Sequence, residues 1–134
     1  LDLARSRLPP EKVEQALSLD LTKAFDKLEA LAPFGLVSLC EVIQHMPDAG
    51  DRERVFAGAA ALLKPGGTLL FSTYRLEEGV SREGFFGSDR FAHKLYFWRS
   101  TEAENLERFR ENRLEIAGRF RELRVDAFVL RRLP

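Results

Sequence analysis

Short apolar runs alternate along this chain with segments whose apolar residues recur at helical spacing. Ala4–Leu8 predicts the end of a helix stopped by Pro9-Pro10. Val13–Leu19 (VEQALSL) is a short apolar run closed by Asp20 and predicts a strand. Leu21, Phe25, Leu28 and Ala32 then recur at helical spacing, until Pro33 and Gly35 end the pattern. Gly35–Cys40 (GLVSLC) is an apolar run bounded by turn residues, the pattern of a strand buried on both faces of a parallel sheet. The polar connection HMPDAGD follows, and Asp48 or Asp51 caps the next helix by accepting from its free N–H groups. In that helix Val55, Phe56, Ala59, Leu62 and Leu63 form the apolar face. Asp51, Arg52, Glu53 and Arg54 start on the wet side. Lys64 suits the negative end of the helix dipole. Pro65-Gly66-Gly67 turns the chain into Thr68–Thr73 (TLLFST), a second buried-type strand.

Strand, helix and strand in this order make a βαβ unit, whose right-handed crossover sets the two strands parallel. The alternation over Val13–Thr73 predicts an α/β three-layer domain. The second half reads differently. Leu76–Arg90, rich in Gly, Ser and charge, predicts a loop, and Lys94–Trp98 (KLYFW) a short strand or an apolar wall. Ser100 is placed to cap a charged helix over Thr101–Leu114, with Leu106, Phe109 and Leu114 inward. Glu115–Val125 and Ala127–Leu130 predict two antiparallel strands joined by a tight turn near Asp126.

A chain of 134 residues is enough for one compact domain. Lys+Arg and Asp+Glu balance at 21 each, which gives no long-range attraction to nucleic acid or to acidic membranes. Cys40, the one cysteine, has no internal disulfide partner and fits a reducing, cytoplasmic setting. No apolar run approaches the ~20 residues needed to cross a bilayer, and no signal peptide is visible.

Several residues carry candidate chemistry. Leu39 and Cys40 lie at the carboxyl end of a parallel strand, where α/β sheets bind ligands. As a nucleophile Cys40 needs a nearby base, and a free cysteine is more often simply buried. Glu41 and His45 are four apart, hence on one helical face, but two histidines and one cysteine suggest no third metal ligand. No metal is expected. His45 has the chemistry of a general base; its plain reading is packing in the turn after the strand. The glycines of KPGG lack nucleotide-loop spacing and read as a sharp turn. Tyr74, Arg75, Phe85, Phe86, His93, Tyr96 and Trp98 flank the Gly-rich segment. An aromatic wall fits a small or flat substrate, and an ordinary core is the alternative. The arginines of 101–124 alternate with Glu, the pattern of a solvated face.

FGLVSLCEVIQHMPD resembles the fourth-strand motif of class I S-adenosylmethionine-dependent methyltransferases, and LLKPGGTLLFSTYR resembles the fifth-strand motif that follows it. LSLDL resembles the third strand, and the opening LDLARSRL the end of the second. The resemblance implies a Rossmann-like methyltransferase sheet closed by an antiparallel C-terminal hairpin, with S-adenosylmethionine as cofactor and a small-molecule acceptor. It implies that Asp2 accepts from the ribose hydroxyls and that Asp20 accepts from the adenine amino group with Leu21 against the ring. Carbonyls at Leu39 and Cys40 would face the cofactor's amino group. Glu41, Tyr74, Arg75, Tyr96 and Trp98 fall in the acceptor region, with His45 as the catalytic base. The plain alternatives are a solvated end for Asp2 and a helix cap for Asp20.

The family's glycine-rich turn and the first two strands have no counterpart here, and Gly35 stands where the family usually has Asp. The chain starts at Leu1, and residues 1–134 therefore read as one partial, N-terminally truncated methyltransferase domain. Two further readings stay open: a non-catalytic remnant or interaction module that does not bind cofactor, and a different α/β nucleotide-binding enzyme, against which KPGG argues.

Overall fold

The computed structural model describes residues 19–23, 25–87 and 94–134. The expectations for Asp2, for His93, for Ala4–Leu8 and for the body of the Val13–Leu19 strand fall outside those residues. A short helix α1 (Phe25–Glu29) leads into β1 (Phe34–Cys40), a 3-10 turn (Ile43–His45), α2 (Ala49–Ala61) and β2 (Leu63–Tyr74). A small hairpin, β3 (Glu83–Phe86) and β4 (Leu95–Trp98), precedes α3 (Glu102–Glu111), β5 (Leu114–Glu122) and β6 (Val125–Arg132). The main sheet has the order β1-β2-β6-β5. β1 and β2 are parallel, while β6 runs antiparallel to both β2 and β5. The α/β class, the parallel pair and the antiparallel ending all match the expectation.

The core lies between α2, α3 and one face of the sheet. Phe71 on β2 sits edge-on to Phe56 of α2 at 5.0 Å and to Phe109 of α3 at 5.9 Å. Phe128 of β6 completes the cluster, 4.9 Å from Phe109. Each such pair adds about 0.5–1.5 kcal/mol beyond its buried area. Strand alternation puts Leu69, Phe71 and Thr73 on this face, and they are buried. Leu70, Ser72 and Tyr74 point to the other face, where Leu36 and Phe120 are 58% and 65% exposed. Among the described residues no strand pairs with the outer edge of β1.

Several local expectations need correction. The first helix is one short turn of helix, and the chain over Leu21–Lys23 is a hydrogen-bonded turn. Pro65-Gly66-Gly67 does turn the chain, but inside β2: Phe34 pairs with Leu63 and Leu36 with Thr68, so the extra residues bulge out. Gly66 has φ +75, and a Cβ at Gly67 would lie 2.8 Å from the Lys64 carbonyl oxygen. Arg52 is buried rather than wet: it donates to the Met46 and Pro47 carbonyls at 2.7 and 2.8 Å. The predicted loop over Leu76–Arg90 contains β3. Leu106 is 45% exposed, because α3 turns Asn105, Arg108 and Phe109 inward instead. Arg108 tolerates that burial through a two-pronged bond to Glu53 of α2, at 2.6 and 2.9 Å. The helix cap is Thr101, not Ser100, in a reciprocal capping box with Glu104. The C-terminal turn lies at Leu123-Arg124; Asp126 is inside β6 and wholly buried.

Candidate functional site

The site assembles where β1 and β2 end. Glu41 breaks out of β1 with φ 55, and its N–H donates to the Ser72 carbonyl and hydroxyl oxygens, both at 3.1 Å. In the parallel ladder this register sets the Leu39 carbonyl toward β2 and the Cys40 carbonyl toward the open edge. Of the two predicted carbonyls, only that of Cys40 therefore faces outward. The Leu39 side chain is buried in the core. The Cys40 thiol is exposed, with Ser38 Oγ at 3.4 Å and the Leu70 carbonyl at 3.8 Å; neither neighbour is a base.

After Glu41 the chain forms a single 3-10 turn, too short to set Glu41 and His45 on one helical face as the spacing predicted. His45 Nδ1 lies 2.7 Å from the Tyr96 carbonyl oxygen. A carbonyl only accepts, so Nδ1 carries the proton and Nε2 of the neutral ring keeps its lone pair. Tyr74 stands edge-on to the His45 ring at 5.8 Å, and Phe86 edge-on to Tyr74 at 5.9 Å. Phe97 then stacks on Phe86 at 4.3 Å. This ladder of rings joins the end of β2 to the β3–β4 hairpin. The sequence placed Phe86 in a loop, as one member of an aromatic wall; its place in a strand opposite Leu95 is what turns it toward Tyr74.

The other candidates lie elsewhere. Tyr96 contributes its carbonyl to His45, while its hydroxyl donates to Glu83 at 2.5 Å. Burial, then that carboxylate, raises the Tyr96 pKa above the ordinary phenol value. Trp98 is buried, with the Arg52 guanidinium 4.3 Å over its ring and that of Arg82 at 5.7 Å. Arg75 donates to Asp126 at 2.9 Å, to Glu77 at 2.8 Å and to the Leu123 carbonyl at 2.6 Å. Arg121 and Arg119 reach the same Asp126 carboxylate at 3.0 and 3.5 Å, and both pair with Glu102.

Asp20 caps its own turn, accepting from the Thr22 N–H at 3.0 Å and the Thr22 hydroxyl at 2.7 Å. These bonds hold its carboxyl below the usual range. Its second oxygen faces Lys23 at 3.4 Å and has lone pairs to spare. Leu21 packs against the core cluster that contains Leu39. A cavity of about 310 Å³ opens beneath Glu41 on the far face of the sheet, lined by Phe120, Glu122, Leu123, Val125 and Ala127. Among the described residues no three His, Cys, Asp or Glu side chains gather as a metal ligand set, and no helix is long and apolar enough to cross a membrane.

No protein-family model and no curated protein matches the sequence. Solved structures do. A SAM-dependent methyltransferase from Methanosarcina mazei superposes with a TM-score of 0.72 over 98% of this chain and 75% of that one, at 13% identity. An O-methyltransferase family protein from Burkholderia thailandensis gives 0.68 over 98% of this chain and 40% of that one, at 18% identity. The chain has the class I methyltransferase fold. A third similar structure is 1,6-didemethyltoxoflavin-N1-methyltransferase from Burkholderia thailandensis, solved with 1,6-didemethyltoxoflavin and S-adenosylhomocysteine. It has a TM-score of 0.58 over 77% of this chain and 45% of that one, at 16% identity. This methyltransferase-fold chain thus spans less than half the length of two of these three structures.

Proposed function

We propose that the ends of β1 and β2 form part of an S-adenosylmethionine-dependent methyl-transfer site for a small-molecule acceptor. The observation that carries this reading is the His45 ring, held through Nδ1 on the Tyr96 carbonyl with the Tyr74 ring edge-on beside it. Two of the described groups fit parts of the cofactor. The outward Cys40 carbonyl is an acceptor for an ammonium group, and the second Asp20 oxygen, which faces Lys23, keeps lone pairs for an adenine amino group, with Leu21 beside it. Asp2 is assigned the ribose hydroxyls.

The bound cofactor supplies an electrophilic methyl carbon on a sulfonium. The chain's own residues align the acceptor and take its proton. His45 Nε2 removes a proton from an acceptor hydroxyl or amine. Tyr74 and Phe86 offer apolar ring surface to the acceptor and limit water there. Tyr96 fixes the base, Glu41 borders the cleft, and Arg75 and Trp98 support its walls from within the fold.

Calorimetric titration of this chain with S-adenosylmethionine and S-adenosylhomocysteine tests the assignment. Saturable heat supports it; no heat at millimolar ligand from a folded sample refutes autonomous cofactor binding. A second reading, an interaction module that retains the fold without the activity, is favoured by the exposed Leu36 on β1, whose outer edge no described strand covers. Concentration-dependent association without cofactor heat is its signature.

A further inference from the structure

We infer that the fold encloses a hydrated polar compartment behind the His45 turn, lined by Gln44, Thr73 and Asn105. Gln44 is wholly buried, yet among the described residues neither its Nε2 nor its Oε1 has a hydrogen-bond partner. Thr73 Oγ1 and Asn105 Nδ2 are buried in the same condition. The Asn105 oxygen is engaged, accepting from Arg108 at 2.7 Å.

The topology brings these groups to one end of the helix–sheet interface. Thr73 follows Phe71 by two residues on β2 and so shares its face. Asn105 precedes Phe109 by one helical turn, and Phe109 packs on Phe71 at 5.9 Å. α3 starts where β2 ends, since the Ser100 N–H donates to the Tyr74 carbonyl at 2.9 Å. Asn105 therefore lies toward the Thr73 side of the phenylalanine contact. The 3-10 turn that carries Gln44 abuts β2, β4 and α2, and it leaves β1 directly beside Ser72.

Between them the side chains offer donors at Gln44 Nε2 and Asn105 Nδ2, and acceptors at Gln44 Oε1 and Thr73 Oγ1. Buried polar groups in folded proteins are almost always paired, with protein or with ordered water. A buried water makes about three hydrogen bonds, so one or two waters would satisfy the orphan atoms. Chains of this length hold on the order of five such waters, one per ~27 residues. No larger ligand fits the argument, because all three side chains are closed off from solvent. The compartment would brace the turn whose next residue is His45, and it stands whether or not the chain transfers methyl groups.

Near-isosteric removal of the polar atoms tests it. Thr73→Val and Gln44→Leu should each lower the melting temperature by roughly 3–6 °C, about the effect of one lost hydrogen bond in a chain of this size. The double variant should lose less than the sum, as expected for partners of shared water. A melting temperature unchanged or raised in either single variant overturns the proposal, since deleting a truly orphan polar atom relieves a burial cost. Independently, a crystal structure fine enough to show ordered solvent should place a water within hydrogen-bond reach of both Gln44 and Thr73 Oγ1. A dry compartment there overturns it as well.

Discussion

Replacing Arg75 with methionine decides whether this arginine braces the sheet or meets a ligand. Its guanidinium ties three groups together: Asp126 at 2.9 Å, Glu77 at 2.8 Å and the Leu123 carbonyl at 2.6 Å. Asp126 is fully buried, which makes that bond the costly one to lose. A hydrogen bond to a buried charged group contributes about 1.5–3 kcal/mol, and the carbonyl bond about 1 kcal/mol. The partly exposed Glu77 pair contributes about 1 kcal/mol or less. Methionine keeps most of the aliphatic stem, so the loss is nearly all polar. Arg121 and Arg119 stay on Asp126, so the carboxylate keeps partners and the cost stays at the low end of the ~3–5 kcal/mol for a fully broken buried pair.

The expected destabilisation is about 3 kcal/mol. At roughly 3–5 °C per kcal/mol for a chain of this size, the melting temperature should fall by about 9–15 °C. Circular dichroism melts and urea titrations read this directly. If the variant is studied well below its melting point, its affinity for S-adenosylhomocysteine should match that of the parent chain. A melting temperature within about 2 °C of the parent, or a tenfold loss of ligand affinity in a stably folded variant, would refute the structural assignment and return Arg75 to the ligand.

Further measurements address other elements. Burial pushes the Glu104 carboxyl up, but the Thr101 N–H and Arg82 outweigh it and the pKa stands below the usual value. Its contribution is thus present above the unfolded pKa of about 4.3 and lost as pH falls through the folded value. Glu104→Gln should cost under ~1 kcal/mol near neutrality, with the gap to the parent closing below about pH 4 in acid unfolding curves. Gly67→Ala should destabilise by about 1–3 kcal/mol, because its Cβ meets backbone oxygens of Lys64 and Phe34 at 2.8 and 3.1 Å that have no room to yield. Gly35→Ala, whose nearest neighbour is the flexible Lys64 side chain at 3.5 Å, serves as the near-neutral control in the same melts. Nitrogen-15 spectra of the neutral His45 ring should show Nδ1 protonated and Nε2 bare; the opposite tautomer would remove His45 from the base role.

What could be read from the chain alone follows the range of the forces involved. β1, α2 and β2 were legible because each is set by its own apolar spacing, helped by the Asp48 cap before α2 and by the KPGG glycines that bulge the start of β2. Asp48 indeed accepts from the Asp51 N–H at 2.8 Å. The misreadings that reach furthest along the chain involve arginine. Arg52 looked solvated, yet carbonyls two turns away in the connection and the distant Trp98 ring satisfy it. Arg108 looked like the wet side of α3, and its bond to Glu53, 55 residues away, rotates the buried stripe so that Leu106 faces out. Asp126 looked like a turn residue because nothing nearby in sequence announces that Arg75, Arg119 and Arg121 will converge on it.

The same logic divides the candidate site. Its cofactor side rests on backbone direction at the end of β1, which a strand motif foretells. Its acceptor side rests on a contact across 51 residues, from His45 to the Tyr96 carbonyl, and on a hairpin whose first strand the loop-like composition concealed. A side chain that spans such distances is specified by the folded surroundings rather than by its neighbours in the chain. His45, clamped by one distant carbonyl and one aromatic edge, is therefore the residue whose role the fold constrains most and the sequence least.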